Sequence, residues 1–168
     1  PTLPVAADPE WNINPIDALI AREHQRHGLQ RQPAADKRTL LRRVSIDLTG
    51  LPPTIEQQQQ FLSDTSATAY ENVVDRLLSS PQYGERWGRH WMDIWRYSDW
   101  WGLGAEVRNS QKHIWHWRDW IIESLNDDHG YDQMLREMLA ADELYPNDLG
   151  RLRATGYLAR QYFKFNRT

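Results

Sequence analysis

The stretch YGERWGRHWMDIWRYSDWW, residues 83–101, decides how this chain is read, and KHIWHWRDWII at 112–122 repeats its theme. Eight of the nine tryptophans lie between Trp87 and Trp120, interleaved with arginine, aspartate and histidine. The spacing of Trp87, Trp91 and Trp95 follows helix pitch, predicting a helix over about Tyr83–Asp99. At about 100° per residue, Arg86, His90, Asp93 and Tyr97 share a stripe roughly 60° wide. Trp87, Trp91, Ile94 and Trp95 fill the adjoining sector. Glu85, Gly88, Arg89, Met92 and Arg96 take the remaining side, where Glu85 and Arg89 can pair at i, i+4. The first tryptophan helix thus presents an aromatic wall beside a row of hydrogen-bonding groups.

Working outward, the pattern stays helical. The second tryptophan helix covers about Lys112–Asn126, with Ile114, Trp117, Trp120, Ile121 and Leu125 as its core face. A loop carries GLGAEVRNS between the two. Upstream, Pro15 suits a first helical position and Gly28 a stop. Asp36 caps KRTLLRRVSIDLTG, with Leu40, Leu41, Val44 and Leu48 inward and Gly50 ending the helix before the Pro52–Pro53 turn. Thr54 caps a short helix to about Leu62. Thr68 caps AYENVVDRLLSS, with Tyr70, Val73, Val74, Leu77 and Leu78 inward. After a turn at Asp127–Gly130 comes YDQMLREMLAADEL, then a last helix from about Leu149 past Tyr157. No strand-like alternation survives beyond four residues. The expected fold is all-α: one multi-helix domain of six to eight helices over residues 14–168, preceded by an extended N-terminal arm or linker over 1–13.

Bulk properties exclude several function classes. A net charge of −3, with basic residues scattered among acidic ones, argues against nucleic acid. A mean hydropathy of −0.78 without a long apolar run argues against a membrane span. No cysteine is present, which removes disulfides, zinc–thiolate sites and covalent haem attachment within these residues. The N-terminal residues carry no signal-peptide pattern.

Three readings of the polar stripe stand side by side. Arg86, His90, Asp93 and Tyr97 can form a buried network packed by indoles. They can line a ligand or cofactor pocket, since aromatic walls with a few polar groups suit small molecules and sugars. His90 and Asp93, at i, i+3, can also work as an acid–base pair, although no nucleophile accompanies them. On the second helix, Arg118 and Asp119 lie off the core face, positioned to reach the first helix or a partner. His113 and His116 have metal-binding spacing without a third ligand, so no metal is assigned. Arg42, Arg43 and Asp47 read as structural contacts. The familiar nucleotide, hydrolase and zinc-protease motifs are absent from the sequence.

Taken in order, ADKRTLLRRVSIDLTGLPPT, AYENVVDRLLSSPQYGERWGRHWMDIWRYSD, WRDWIIESLNDDHGYDQML and RATGYL resemble the planctomycete cytochrome-associated helical domain, a domain of unknown function. The resemblance spans roughly residues 14–168. It implies a module of a large exported protein, periplasmic or at the cell surface, with c-type cytochrome domains elsewhere in the polypeptide. In that family the segment after YFKFNRT runs on to a Cys-x-x-Cys-His type of motif. The start at Pro1 and the end at Thr168 read as cuts, so a fragment of a longer multidomain chain is expected.

Combined with the stripe, the resemblance gives a candidate cofactor-facing set of Arg86, Trp87, His90, Trp91, Asp93, Tyr97, Asp99, Arg118 and Asp119, with no catalytic residue assigned. No cofactor is expected to attach covalently within the chain; a haem c from adjacent sequence is. Expected partners are the rest of the polypeptide or a cytochrome c subunit, and the function redox or electron-transfer related. The alternative is a glycan-binding or glycan-processing module in which Trp100 and Trp101 stack on sugar rings.

Overall fold

The computed structural model describes residues 14–101, 109–110 and 113–159, with the backbone alone at 100–101 and 109–110. The expected arm over 1–13 and the body of the loop at 102–108 lie outside the described residues. The chain divides into two compact units, residues 1–36 and 37–168. The first contains helix α1 (Pro15–Arg26), whose Asn14 side chain accepts from the amides of Ile16 and Asp17 while Asp17 reaches back to the Asn14 N–H. This reciprocal cap, with Pro15 just inside, fixes the helix start.

The second unit is all-α. It contains α2 (Lys37–Thr49), α3 (Ile55–Ser63), α4 (Ala69–Leu78), α5 (Pro81–Ile94), α6 (Trp115–Asn126), α7 (Tyr131–Leu144) and a segmented last stretch. That stretch is α8 (Leu149–Leu152), a 3₁₀ turn (Arg153–Thr155) and α9 (Gly156–Ala159). The only extended pairing among the described residues joins Trp100–Trp101 to Asn109–Ser110, antiparallel, across the loop between α5 and α6.

Two apolar clusters hold this unit together. One is aliphatic: Leu41, Val44, Phe61, Ala69, Val73 and Leu77 from α2, α3 and α4. The other is aromatic and sulfur-rich: Trp95, Ile114, Trp117, Trp120, Ile121, Met134, Met138 and Ala154, centred on α6. Helix α5 touches both groups of helices, packing on α2 and α4 on one side and α6 on the other. The inward set expected for α6 is largely what is buried. On α4, by contrast, Tyr70 and Leu78 are exposed and Ala69 is buried instead. An apolar sector wider than the contact leaves its edges in water.

The contact between α5 and α6 is made by glycine. A Cβ built on Gly84 would lie 2.4 Å from the Ile122 carbonyl oxygen, and one on Gly88 would lie 3.1 Å from Ile122 Cγ1. The Asn126 side chain completes the clasp, accepting from the Gly84 N–H at 2.8 Å and donating to the Pro81 carbonyl at 3.2 Å. It gives the Gly84 N–H, in the first turn of α5, an acceptor on α6. Hence α6 approaches the backbone of α5, and the large side chains are pushed to the flanks and the far end.

Candidate functional site

Helix α5 stops at Ile94, earlier than expected, because Arg96 turns left-handed (φ +57°). The Tyr97 N–H then bonds to the Met92 carbonyl and the Arg96 N–H to that of Asp93. This is a Schellman closure with arginine where glycine normally stands. It folds Tyr97 back against α6, with its ring 5.8 Å from that of Trp117.

A continuous aromatic seam results. Tyr131 stacks on Trp91 (5.3 Å between centroids), Trp91 on Trp95 (5.0 Å), and Trp95 lies 6.4 Å from Trp117. Trp117 is wholly buried and also meets Tyr157 edge-on at 5.7 Å. Gly156 permits this, since a Cβ there would lie 2.4 Å from Trp117 Cβ. Such tilted and offset ring pairs each add about 0.5–1.5 kcal/mol beyond area burial.

The seam ends in charge. The Tyr97 hydroxyl donates to Asp99 Oδ1 at 2.5 Å. Burial, together with the Asp99 carboxylate, pushes the phenol far above its ordinary range, so Tyr97 is neutral at physiological pH. Arg118 binds Asp119 through Nε (2.9 Å) and Nη2 (2.8 Å), and both charges act on Tyr97. The hydrogen bond that Arg118 donates to the Asp119 carboxylate pushes its already high value further up.

Of the nine candidate residues, Trp91, Tyr97, Asp99, Arg118 and Asp119 therefore belong to this seam and its rim. The other four go elsewhere. Arg86 leans over Gly50 at the end of α2, with its Cδ 3.0 Å from where a Gly50 Cβ would be. His90 packs on the partly exposed Trp87 at 5.5 Å, and Asp93 is exposed. No hydrogen bond or ion pair joins Arg86, His90, Asp93 and Tyr97 to one another among the described residues. The α5 face toward α6 is taken by Gly84 and Gly88, so the polar stripe flanks the interface instead of closing on itself. Glu85 and Arg89, expected to pair, are both exposed.

The His113 and His116 rings face one another at 6.4 Å, with Trp115 stacked on His116 at 3.6 Å. No group of three or more potential metal ligands converges among the described residues. The side chains of Trp100 and Trp101, on which a sugar-stacking surface rests, lie outside the described residues.

Two cavities bounded by described residues hold about 150 and 120 Å³. No described helix is long and apolar enough to cross a membrane.

Comparison with known proteins gives one family: PSCyt2, described as a protein of unknown function (DUF1549), whose profile matches residues 15–168. The chain belongs to the PSCyt2 family. No curated protein and no solved structure matches it. In this PSCyt2 chain the matched span covers every described helix, so seam, clasp and rim all fall within the family domain.

Gly84, Gly88, Asn126 and Gly156 all fall inside the motifs that carry the family resemblance, but sequence reasoning gave them no structural role. The three glycines bring no side chain and Asn126 only a hydrogen-bonding amide, yet together they set how closely the backbones approach. The signal that was available is the four-residue spacing of Gly84 and Gly88 on a helix otherwise rich in large side chains.

Proposed function

We propose that this PSCyt2 domain is the helical scaffold of a larger exported, cytochrome-associated protein, serving a redox centre held outside its own residues. That centre is a c-type haem domain of the same polypeptide or a separate cytochrome c. The observation that carries the reading is the aromatic seam running from Tyr131 through Trp91, Trp95 and Trp117 to Tyr97, closed by the Asp99, Arg118 and Asp119 rim. The wall interlocks its rings and buries Trp95 and Trp117, which suits the edge of a redox partner whose potential depends on excluding water. A rim bearing both signs of charge, beside a neutral phenol, can fix the orientation of that partner. The family's own name points to the same association.

The test is the parent polypeptide produced under conditions that allow haem maturation, as wild type and as Tyr97→Phe and Arg118→Ala variants. A covalent c-type spectrum is expected, with a midpoint potential that moves in both variants. A polypeptide without haem that also fails to bind a cytochrome c contradicts the proposal. So does a potential that neither substitution shifts.

A further inference from the structure

Away from the seam, a second cavity of about 150 Å³ lies where α2 ends, α3 begins, α4 ends and α5 begins. Its polar lining includes Ser45, Thr49, Thr54, Gln57, Arg76 and Gln82, and no acidic residue contributes to it. Two helix starts and two helix ends meet there, so their dipoles largely offset and the net charge is that of Arg76.

Arg76 has only part of its hydrogen-bonding capacity used. Its Nη1 donates to Gln60 Oε1 at 3.2 Å, while Nε and Nη2 are buried without a partner. Nε–H and Nη2–H form the parallel edge of the guanidinium, the fork that grips two oxygens of one group. No ion pair neutralises Arg76 among the described residues. The Ser45 hydroxyl, in a residue only 2% exposed, is likewise buried without a partner. Burying a charged fork and a hydroxyl with nothing to bond is unfavourable, and native folds seldom leave both at one place.

We infer that this cavity binds a tetrahedral oxyanion, sulfate or phosphate. Two of its oxygens accept from the Arg76 fork and a third from the Ser45 hydroxyl. The guanidinium, at the end of a flexible chain, and the hydroxyl, by rotation about one bond, turn toward the ion. A third donor set apart from the fork favours a tetrahedral group over a planar carboxylate. The volume suits a ligand of about five or six heavy atoms. This site is independent of the seam and of any redox partner.

The experiment titrates the full 168-residue chain, in chloride buffer at constant ionic strength, with inorganic sulfate and separately with inorganic phosphate. Acetate serves as the planar control, and binding is followed by calorimetry and by the 15N resonance of Arg76 Nε. Saturable binding of at least one tetrahedral ion is expected, tighter than acetate, with the Arg76 Nε signal shifting along the same isotherm. Arg76→Lys keeps the charge but loses the fork, so affinity should fall about tenfold or more, and Ser45→Ala should weaken it a few-fold. Circular dichroism of the unliganded variants checks that they are folded; the Arg76 resonance in the unaltered chain decides the matter if they are not. Ordered water alone in the cavity, acetate binding as tightly, an unmoved Arg76 signal or full affinity in Arg76→Lys would each overturn the inference.

Discussion

Replacing Gly84 with alanine tests the packing on which the site depends. The added Cβ would lie 2.4 Å from the Ile122 carbonyl oxygen and 2.7 Å from the Asn126 amide, whereas ordinary contact begins near 3.4 Å. The helices must therefore part by about 1 Å (3.4 − 2.4). A backbone carbonyl cannot rotate away, so the cost belongs at the upper end of the overpacking range, about 3 kcal/mol. Stretching the Asn126 bond to the Gly84 N–H adds about 1 kcal/mol. Alanine's helix preference returns about 1 kcal/mol, leaving a net loss of about 3 kcal/mol. In a domain of this size that lowers the melting temperature by about 6–12 °C. The matched control is Gly88→Ala, whose Cβ meets side chains alone, with Ile122 Cγ1 nearest at 3.1 Å and Ile121 and Leu125 at ordinary contact distance. The Ile122 side chain can turn, so the change should stay within about 1 kcal/mol of neutral. Urea melts of the two variants give both numbers. A Gly84→Ala protein as stable as wild type, or no more affected than Gly88→Ala, would refute the backbone clasp.

Other consequences follow from single contacts. The raised phenol of Tyr97 loses its proton later in the folded chain than in the unfolded one, whose value lies near 10. Its contribution is therefore complete below about pH 10 and is lost as pH rises beyond it, so wild-type stability should fall more steeply than that of Tyr97→Phe above that point. Parallel urea midpoints from pH 8 to 11 would contradict this. Arg96→Gly relieves a left-handed arginine and should stabilise the fold by about 0.5–1 kcal/mol; a lower melting temperature would mean that the closure after α5 is misread. Glu137 is fully buried, with Arg151 Nη1 3.5 Å away and Gln133 Nε2 donating at 3.0 Å. Arg151→Ala should cost about 3 kcal/mol by stranding that carboxylate, and adding Glu137→Gln should restore part of it. Strictly additive losses in calorimetric melts would count against the pairing.

The helices themselves were legible in the sequence, most clearly where the punctuation is conventional. Tyr131–Leu144 has the expected outer limits, because Gly130 and the acidic turn before it cannot extend a helix backward, but Ala140 leaves the helical region (φ −152°, ψ 23°) and kinks the one helix that periodicity predicts. Thr54 caps α3 as expected, and Gly28 closes α1 at φ +64°. The end of α5 was not legible. Arg96, and likewise Asp128 after α6 (φ +50°), occupy left-handed positions that sequence rules reserve for glycine or asparagine, so the tryptophan helix reads as running on to Asp99. The seam's members were visible, but not their partners. Helical periodicity ranks side chains by face and cannot show that two glycines will own the interface. A stripe defined by angle alone therefore grouped Arg86 and Asp93 with Tyr97, from which packing separates them.

The most direct test of the central claim, an aromatic seam buried at Trp95 and Trp117 that ends at the Tyr97 rim, is hydrogen exchange at the indole N–H groups, resolved by NMR on the full chain. Trp95, Trp117 and Trp120 should exchange slowly, and the half-exposed Trp87 and Trp115 quickly. A Tyr97→Phe substitution should perturb the Trp117 indole resonance more than that of Trp87. Exchange at Trp117 as fast as at Trp115, with no response to Tyr97→Phe, would contradict the account.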